Sequence, residues 1–562
     1  MDLNLHFEPK LVSSLRSYSK ERFAADLMAG LIVSIVALPL AIAFGIASGV
    51  SPEEGLITAI VGGFFISALG GCSVQIGGPT GAFIVILSGV IAEFGIEGLL
   101  LATFMSGVLL VIMGVLKLGS MIRFIPYPII VGFTSGIAIT IFTSQVPDLF
   151  GISCNAALPS DFIGKWSVYI SSFGSMTPLA FAFGVATIII TVLTPKISKR
   201  VPGSLVAIVI VTSVSVCLRK FMGIDFAETI GDRFTINASL PTPKMLEFSF
   251  QMVRDLFPAA LTIAILCSIE TLLSAAVADG VSGDRTDSNM EVVAIGVANI
   301  ATPFFGGIPV TGAVARTMTN LNNGGRSPVA GIINAFVLLM ILLFLGSLTG
   351  HIPMACLAGI LAVVSWNMSE QKTFKRLLKG SHSDVLVLVT TFLLTIFFDL
   401  TVAIMVGLLM AMVLFIRRIM EVTQVSVVRS SLDLSHDGEV AHDDEVLDVA
   451  EGVEVYSIDG PFFFGVASKF DSVMAEIGER ANVRVIRMRR VPFMDSTGVH
   501  NLEALVRSSQ ENGIKVILSG VLPDVRITLQ RAGFEDLVGK DAICNNIQEA
   551  LAKANAYSLS QS

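Results

Sequence analysis

The chain has 562 residues, of which 53% are hydrophobic and 15% charged, with a formal net charge of −8. Soluble proteins average about 25% charged residues, whereas here apolar stretches of about 20 residues, the length that crosses a bilayer, recur from Leu27 to Ile416. This excludes a soluble globular protein, and the lack of a basic run, zinc spacing or RNA-binding motif leaves no case for a nucleic-acid partner.

Residues 1–25 are polar and lack a small-residue cleavage site, so they read as a cytoplasmic N-terminal segment rather than a removable leader. A membrane domain is expected over 26–420, with fourteen candidate segments near 27–47, 55–69, 79–93, 98–116, 124–145, 178–194, 203–221, 257–278, 291–302, 311–322, 329–349, 353–368, 384–398 and 400–418. Segments 3 and 10 start just after a Gly/Pro break and are too short to span alone. Basic residues precede segment 1 (Lys10, Arg16, Lys20, Arg22) and follow segments 4 (Lys117, Arg123), 6 (Lys196, Lys199, Arg200), 12 (Lys372, Lys375, Arg376, Lys379) and 14 (Arg417, Arg418). Fourteen crossings put all of these on one side, which the charge rule makes the cytoplasm. A multi-pass protein of the inner membrane with both termini cytoplasmic is expected. Seven segments fall in 26–250 and seven in 251–420, and an odd number per half inverts the second repeat.

After Arg418, residues 421–450 read as a polar, acidic linker. A soluble α/β domain is expected over 451–562. Its predicted strands are Val453–Ile458, Val483–Met488 and Lys515–Leu518, and its predicted helices lie near 466–479, 498–511, 523–532 and 545–554. The six cysteines form no CxxC pair and read as small buried hydrophobes. The six histidines show no ligand spacing, so neither metal nor cofactor is expected. No GxxxxGK[ST] loop and no nucleophile–base constellation stands out, which argues against an ATP-driven pump and against an enzyme.

The most telling feature is a motif that occurs twice. Gly78-Pro79-Thr80-Gly81-Ala82 and Pro309-Val310-Thr311-Gly312-Ala313 share Thr-Gly-Ala at an offset of 231 residues. Paired interruptions in corresponding positions of two halves point to the binding site of a secondary transporter. A helix that starts within the membrane presents unpaired N–H groups and the positive end of its dipole, which suits an anion. Thr80 and Thr311 add hydroxyls, and Gly81 and Gly312 allow close approach to the backbone. Arg316 lies about one turn into segment 10, where the other half has Val85, so a positive charge is expected on one side only. Glu270, within segment 8, could carry a proton or bind a cation. The alternative is that Glu270 and Arg316 form an ion pair that fastens helices.

These stretches resemble the SulP anion-transporter family, the bacterial relatives of solute carrier family 26. The resemblance rests on Ala37-Leu38-Pro39-Leu40-Ala41-Ile42-Ala43-Phe44-Gly45, on Gly78 to Ala82, on Ala298-Asn299, and on Gly306-Gly307-Ile308-Pro309 with Ala315-Arg316-Thr317. It implies 7+7 inverted repeats divided into core and gate domains, a homodimer, and a small anion bound between segments 3 and 10. The substrate site is then expected at Phe44, Thr80, Gly81, Ala82, Phe83, Thr311, Gly312, Ala313 and Arg316, with the coupling ion at Glu270 and Ser274. The tail resembles a STAS domain through Phe493-Met494-Asp495-Ser496-Thr497-Gly498, which makes Ser496 and Thr497 candidate regulatory positions and implies a cytoplasmic protein partner. The alternative is that Asp495 and Ser496 cap the helix near Gly498.

The sodium-coupled bicarbonate branch of the family has an Asp where Glu270 stands and a Thr two residues before the segment 10 Arg. Val314 occupies that second position here and offers sodium no side-chain oxygen, so proton coupling is expected. Gly307 to Thr317 most resembles the branch that includes a proton-coupled C4-dicarboxylate transporter. The expectation is proton-coupled uptake of succinate or fumarate. The alternatives are sulfate or bicarbonate transport, with sodium as a coupling ion, a membrane-bound anion sensor that signals through the STAS domain, a passive anion channel, and a nucleobase permease.

Overall fold

The computed structural model describes residues 8–16, 18–119, 126–153, 159, 161–197, 202–222, 228–234, 242–243, 245, 249–398, 400–428, 431–432, 447–464 and 481–561. It divides into two units, Met1–Leu409 and Met410–Ser562.

The first unit is helical, and among the described residues nine helices are long and apolar enough to cross a membrane. Helix α1 (Lys20–Ala47) starts at Ser19, whose side chain accepts the Arg22 N–H. Helix α2 (Pro52–Leu69) starts on a capping box of Ser51 and Glu54 and contains a π turn at Thr58–Gly62. After an extended stretch with strand β1 (Gly77–Gly78), helix α3 (Ile84–Val115) bends at Gly95, whose φ of 72° ends one helical run and starts the next. That bend separates predicted segments 3 and 4. Helices α4 (Tyr127–Phe150), α5 (Pro178–Ile197) and α6 (Gly203–Met222) complete the first half.

The second half runs through α7 (Phe250–Ser282), α8 (Ser288–Ala301), strand β2 (Thr311–Gly312) and α9 (Val314–Asn322). It continues through α10 (Val329–Thr349), α11 (Met354–Met368), α12 (His382–Phe397) and α13 (Leu400–Val422). Every predicted segment has a helical counterpart. The breaks are longer than expected, because segment 10 begins as the strand Thr311–Gly312 and turns helical only at Val314.

Two groups of helices form. In the first, α3 packs along α7 and α8, and α1 along α10; in the second, α4 packs along α11 and α12, and α5 along α6 and α11. In lipid the hydrophobic effect no longer drives helices together, so close approach of small residues matters. At the α3–α8 crossing a Cβ on Gly107 would lie 2.6 Å from the Ile300 backbone N, and one on Gly296 would lie 2.7 Å from the Val111 backbone N. The two backbones touch there, and any side chain would force them apart.

The second unit is a five-stranded sheet in the order β3 (Gln424–Val428), β4 (Val453–Asp459), β5 (Val483–Arg490), β6 (Lys515–Ser519), β7 (Ile543–Cys544). β3 pairs antiparallel with β4; the other pairs are parallel. Alternation along the strands sends Ile458, Ile486, Met488 and Leu518 to one face, against Leu502 and Val506 of α14 (Ser496–Glu511) and Leu529 of α15 (Pro523–Arg531). Val453, Val455, Val483, Val485 and Ile517 go to the other, against Ala550, Leu551 and Ala554 of α16 (Ile547–Gln561). The stretch 421–450, read as a linker, contributes the edge strand β3. The helix expected near 466–479 lies outside the described residues.

The connection 228–234 is pinned to the start of α11. Ile230 N donates to Ile352 O at 3.0 Å, Gly231 N to Gly350 O at 2.8 Å, and Met354 N to Glu228 O at 2.8 Å. Asp232 accepts from Arg219 and from Thr229 N–H, and these hold its carboxyl at about 2, below the usual 3.8. A depressed carboxylate stabilises the fold above its unfolded pKa, and that contribution is lost as pH falls through the folded value. Amide protection at Ile230 and Gly231, followed by hydrogen exchange normalised for intrinsic rate, is therefore expected to hold down to about pH 4 and fall between about pH 4 and 2. Asp232→Asn should remove that step.

Candidate functional site

Two extended stretches, before α3 and before α9, run through the buried middle of the first helix group. Buried backbone N–H and C=O groups need partners, and here side chains supply many of them. Asn299 holds Val310 at both ends, donating from Nδ2 to its carbonyl at 2.8 Å and accepting its N–H at Oδ1 at 3.0 Å. Thr58, at the π turn of α2, accepts the Ile308 N–H at 2.8 Å. Asn320 donates to Val74 O at 2.9 Å, and Thr317 accepts the Ile76 N–H at 3.1 Å. The stretches also pair with each other: Gly77 opposes Gly312, Gly78 opposes Thr311, and Ala313 N donates to Ile76 O at 2.9 Å.

The two threonines of the repeated motif differ. Thr311 is fully buried, and its hydroxyl lies 2.6 Å from that of Thr271 and donates to Cys267 O at 3.1 Å. Thr271 also accepts the Gly312 N–H at 2.8 Å. Thr80 is half-buried and donates to Glu270 Oε2 at 2.7 Å. Ser274, one turn beyond Glu270, turns instead to Gln75 Oε1 at 3.3 Å and Thr317 Oγ1 at 3.2 Å.

Arg316 is 1% exposed. Its Nη2 donates to Pro79 O, and its Nη1 has no hydrogen-bond partner. No carboxylate among the described residues forms an ion pair with it, and Glu270 bonds Thr80 instead. Gly78 makes room for this arrangement, since a Cβ there would overlap Arg316 Nη1. Neither helix start near it, at Gly81 or at Val314, has a side-chain cap. A buried guanidinium and two uncapped helix starts thus converge, with one carboxylate at the edge.

Of the other expected positions, Gly81 faces Phe44 of α1, Ile141 of α4 and Met368 of α11, with a virtual Cβ 3.2, 2.9 and 3.4 Å from them. It therefore lies where the two helix groups meet. Ala82 and Phe83 are sealed in the apolar core, and Ala313 is buried behind the second helix start. Asn299 and Thr317 entered the sequence reading only as part of the resemblance, and Gln75, Thr271 and Asn320 were not singled out; all five are polar and nearly or fully buried.

In the second unit, Asp495 caps α14: its carboxylate accepts from Gly498 N at 2.8 Å and from Phe464 N at 3.2 Å. Ser496 is exposed in the first turn and takes no part in the cap, and Thr497 is half-buried. No cluster of His, Cys, Asp or Glu suited to a metal occurs among the described residues.

A Cβ on Gly312 would overlap Gln75 Nε2. Gly312→Ala is expected to cost about 1–3 kcal/mol through overpacking. Thermal unfolding of a Gly312→Ala, Gln75→Ala double-mutant cycle should show coupling above about 0.5 kcal/mol.

The sulfate permease family model matches residues 23–391, and the STAS domain model matches 446–550. The Bacillus subtilis (strain 168) protein named "Putative sulfate transporter YvdB" is 39% identical over 93% of this chain and 96% of its own. The bicarbonate transporter BicA of Picosynechococcus sp. is 32% identical over 94% of each chain. The solved structure of murine solute carrier 26 family member A9 superimposes with a TM-score of 0.86 over 98% of this chain and 94% of its own, at 19% identity. That likeness shows a shared fold. Together with the paired breaks and the unpaired arginine between them, these matches mean that the chain belongs to the sulfate permease (SulP) family of anion transporters and carries a C-terminal STAS domain.

Proposed function

We propose that this protein takes up a small inorganic oxyanion, sulfate first, across the inner membrane in company with a proton. The observation that carries the reading is Arg316: a guanidinium buried between two uncapped helix starts, with Nη1 unpartnered and no carboxylate among the described residues paired to it. Burying an unpaired charge is costly, and an anion seated there would offset that cost. Sulfate also fits the name of the Bacillus subtilis relative, and none of the relatives above is named for a dicarboxylate, so the succinate reading gains nothing from them. Bicarbonate is the second reading, favoured by the match to BicA along nearly the whole chain.

Glu270 is the proposed proton carrier. Its carboxylate accepts a hydrogen bond from the Thr80 hydroxyl, at the same helix start that would hold the anion. Ionised, it accepts that hydroxyl proton; protonated, it no longer opposes a neighbouring anion. Sodium is the weaker choice, because Ser274 is committed to Gln75 and Thr317 and Val314 supplies no oxygen.

The test is uptake of labelled sulfate, bicarbonate and succinate into proteoliposomes under an inward proton gradient. Sulfate is expected to accumulate, faster as the external pH falls. Arg316→Gln is expected to reduce uptake to about a hundredth or less, the scale of about 3 kcal/mol for losing a buried charge partner; wild-type uptake in that variant overturns the site. Glu270→Gln should abolish the proton dependence. Uptake that requires sodium overturns proton coupling, and binding without accumulation favours a sensor.

A further inference from the structure

A second concentration of positive charge lies away from the arginine site. The N-terminal stretch, the start of α1, the turn after α2, the loop after α7 and the α9–α10 connection surround a cavity of about 330 Å³. Three cations line it: Lys10, Arg22 and Arg326. The one carboxylate in its wall, Asp284, is already engaged. It pairs with Lys10 Nζ at 3.0 Å and accepts the Ser73 hydroxyl. The neighbouring Asp26 is fully buried, and its oxygens accept from Tyr18, Ser327 and the Arg326 N–H. No carboxylate among the described residues pairs with Arg22 or Arg326, and with Asp284 and the adjoining Asp26 set against three cations the cavity keeps a surplus of positive charge. Arg326 is held in place by donating from Nη1 to the Leu321 and Gly325 carbonyls, both at 3.0 Å. Ser13 adds a hydroxyl at the rim.

The surroundings fix the level of this cavity. On the turns of α1 next to Arg22, Phe23 is 48% exposed and Met28 56%. On the N-terminal stretch, Val12 and Leu15 are exposed as well. Apolar side chains turned outward beside paired guanidinium groups mark the boundary where hydrocarbon meets headgroups. Planar guanidinium forks match phosphate oxygens in pairs.

We propose that this cavity binds a phosphate group, carried by an anionic phospholipid of the adjoining leaflet. The site draws its walls from four connections of the first helix group, so an occupied cavity ties them together.

Purified full-length protein in detergent would be titrated with short-chain phosphatidylglycerol, with phosphatidylcholine and with inorganic phosphate, following the thermal midpoint. Phosphatidylglycerol is expected to raise the midpoint and phosphatidylcholine to leave it unchanged. Arg22→Gln with Arg326→Gln should weaken the phosphatidylglycerol effect at least about tenfold, read as the shift from each variant's own ligand-free midpoint, because Arg326→Gln also gives up the hydrogen bonds to Leu321 and Gly325. Arg326→Lys should retain part of the effect, and added salt should weaken it in the wild type. An equal response to both lipids, or an undiminished response in the double variant and in each single variant, overturns the site. A response to inorganic phosphate that the same variants abolish upholds the phosphate chemistry and overturns the lipid as its source.

Discussion

Much of the membrane unit depends on one constraint: two stretches of backbone cross a water-poor interior without a helix to satisfy their amides. Each unsatisfied buried N–H or C=O would cost on the order of 1–3 kcal/mol. The chain meets this with side chains from neighbouring helices, most fully at Val310, where Asn299 serves both backbone groups at once. Thr58 accepts the Ile308 N–H from within a π turn, a local widening of α2. Without these residues the two helix starts could not be held open inside the protein.

The constraint also explains why the polar residues divide into two kinds. Gln75, Thr271, Ser274, Thr317 and Thr311 bond one another or nearby backbone and are spent on structure. Arg316, Thr80 and Glu270 lie at the edge of that network, and of these three Arg316 keeps a buried donor without a partner. The ion pair weighed as an alternative, Glu270 with Arg316, does not form. Arg316 Nη1 is left without a hydrogen-bond partner.

The helices were legible because apolar runs of spanning length have few other readings, and the breaks because Thr-Gly-Ala recurs at one offset. The equivalence of the two threonines was not legible. The offset treats Thr80 and Thr311 alike, whereas the neighbours that distinguish them are Glu270, 190 positions from Thr80, and Thr271, 40 positions from Thr311. The partners of Ser274 were not legible either, since Gln75 and Thr317 lie on other stretches of the chain. In the second unit β3 was hidden inside an acidic stretch, because an edge strand with one partner needs little hydrophobic pattern of its own.

The cross-bonding of the two breaks has a mechanical consequence. Ile76 to Ala313, Gly77 to Gly312, and Ser274 to both Gln75 and Thr317 lash one helix start to the other. Neither start can shift alone without exposing several donors at once, so the two behave as a single rigid insert. The contacts of Gly81 with Ile141 and Met368, across to the second helix group, are apolar and carry no hydrogen bond. Sliding there forfeits only dispersion, a few tenths of a kcal/mol per atom pair at most. The molecule is thus stiff along the seam between its repeats and slippery along the seam between its helix groups.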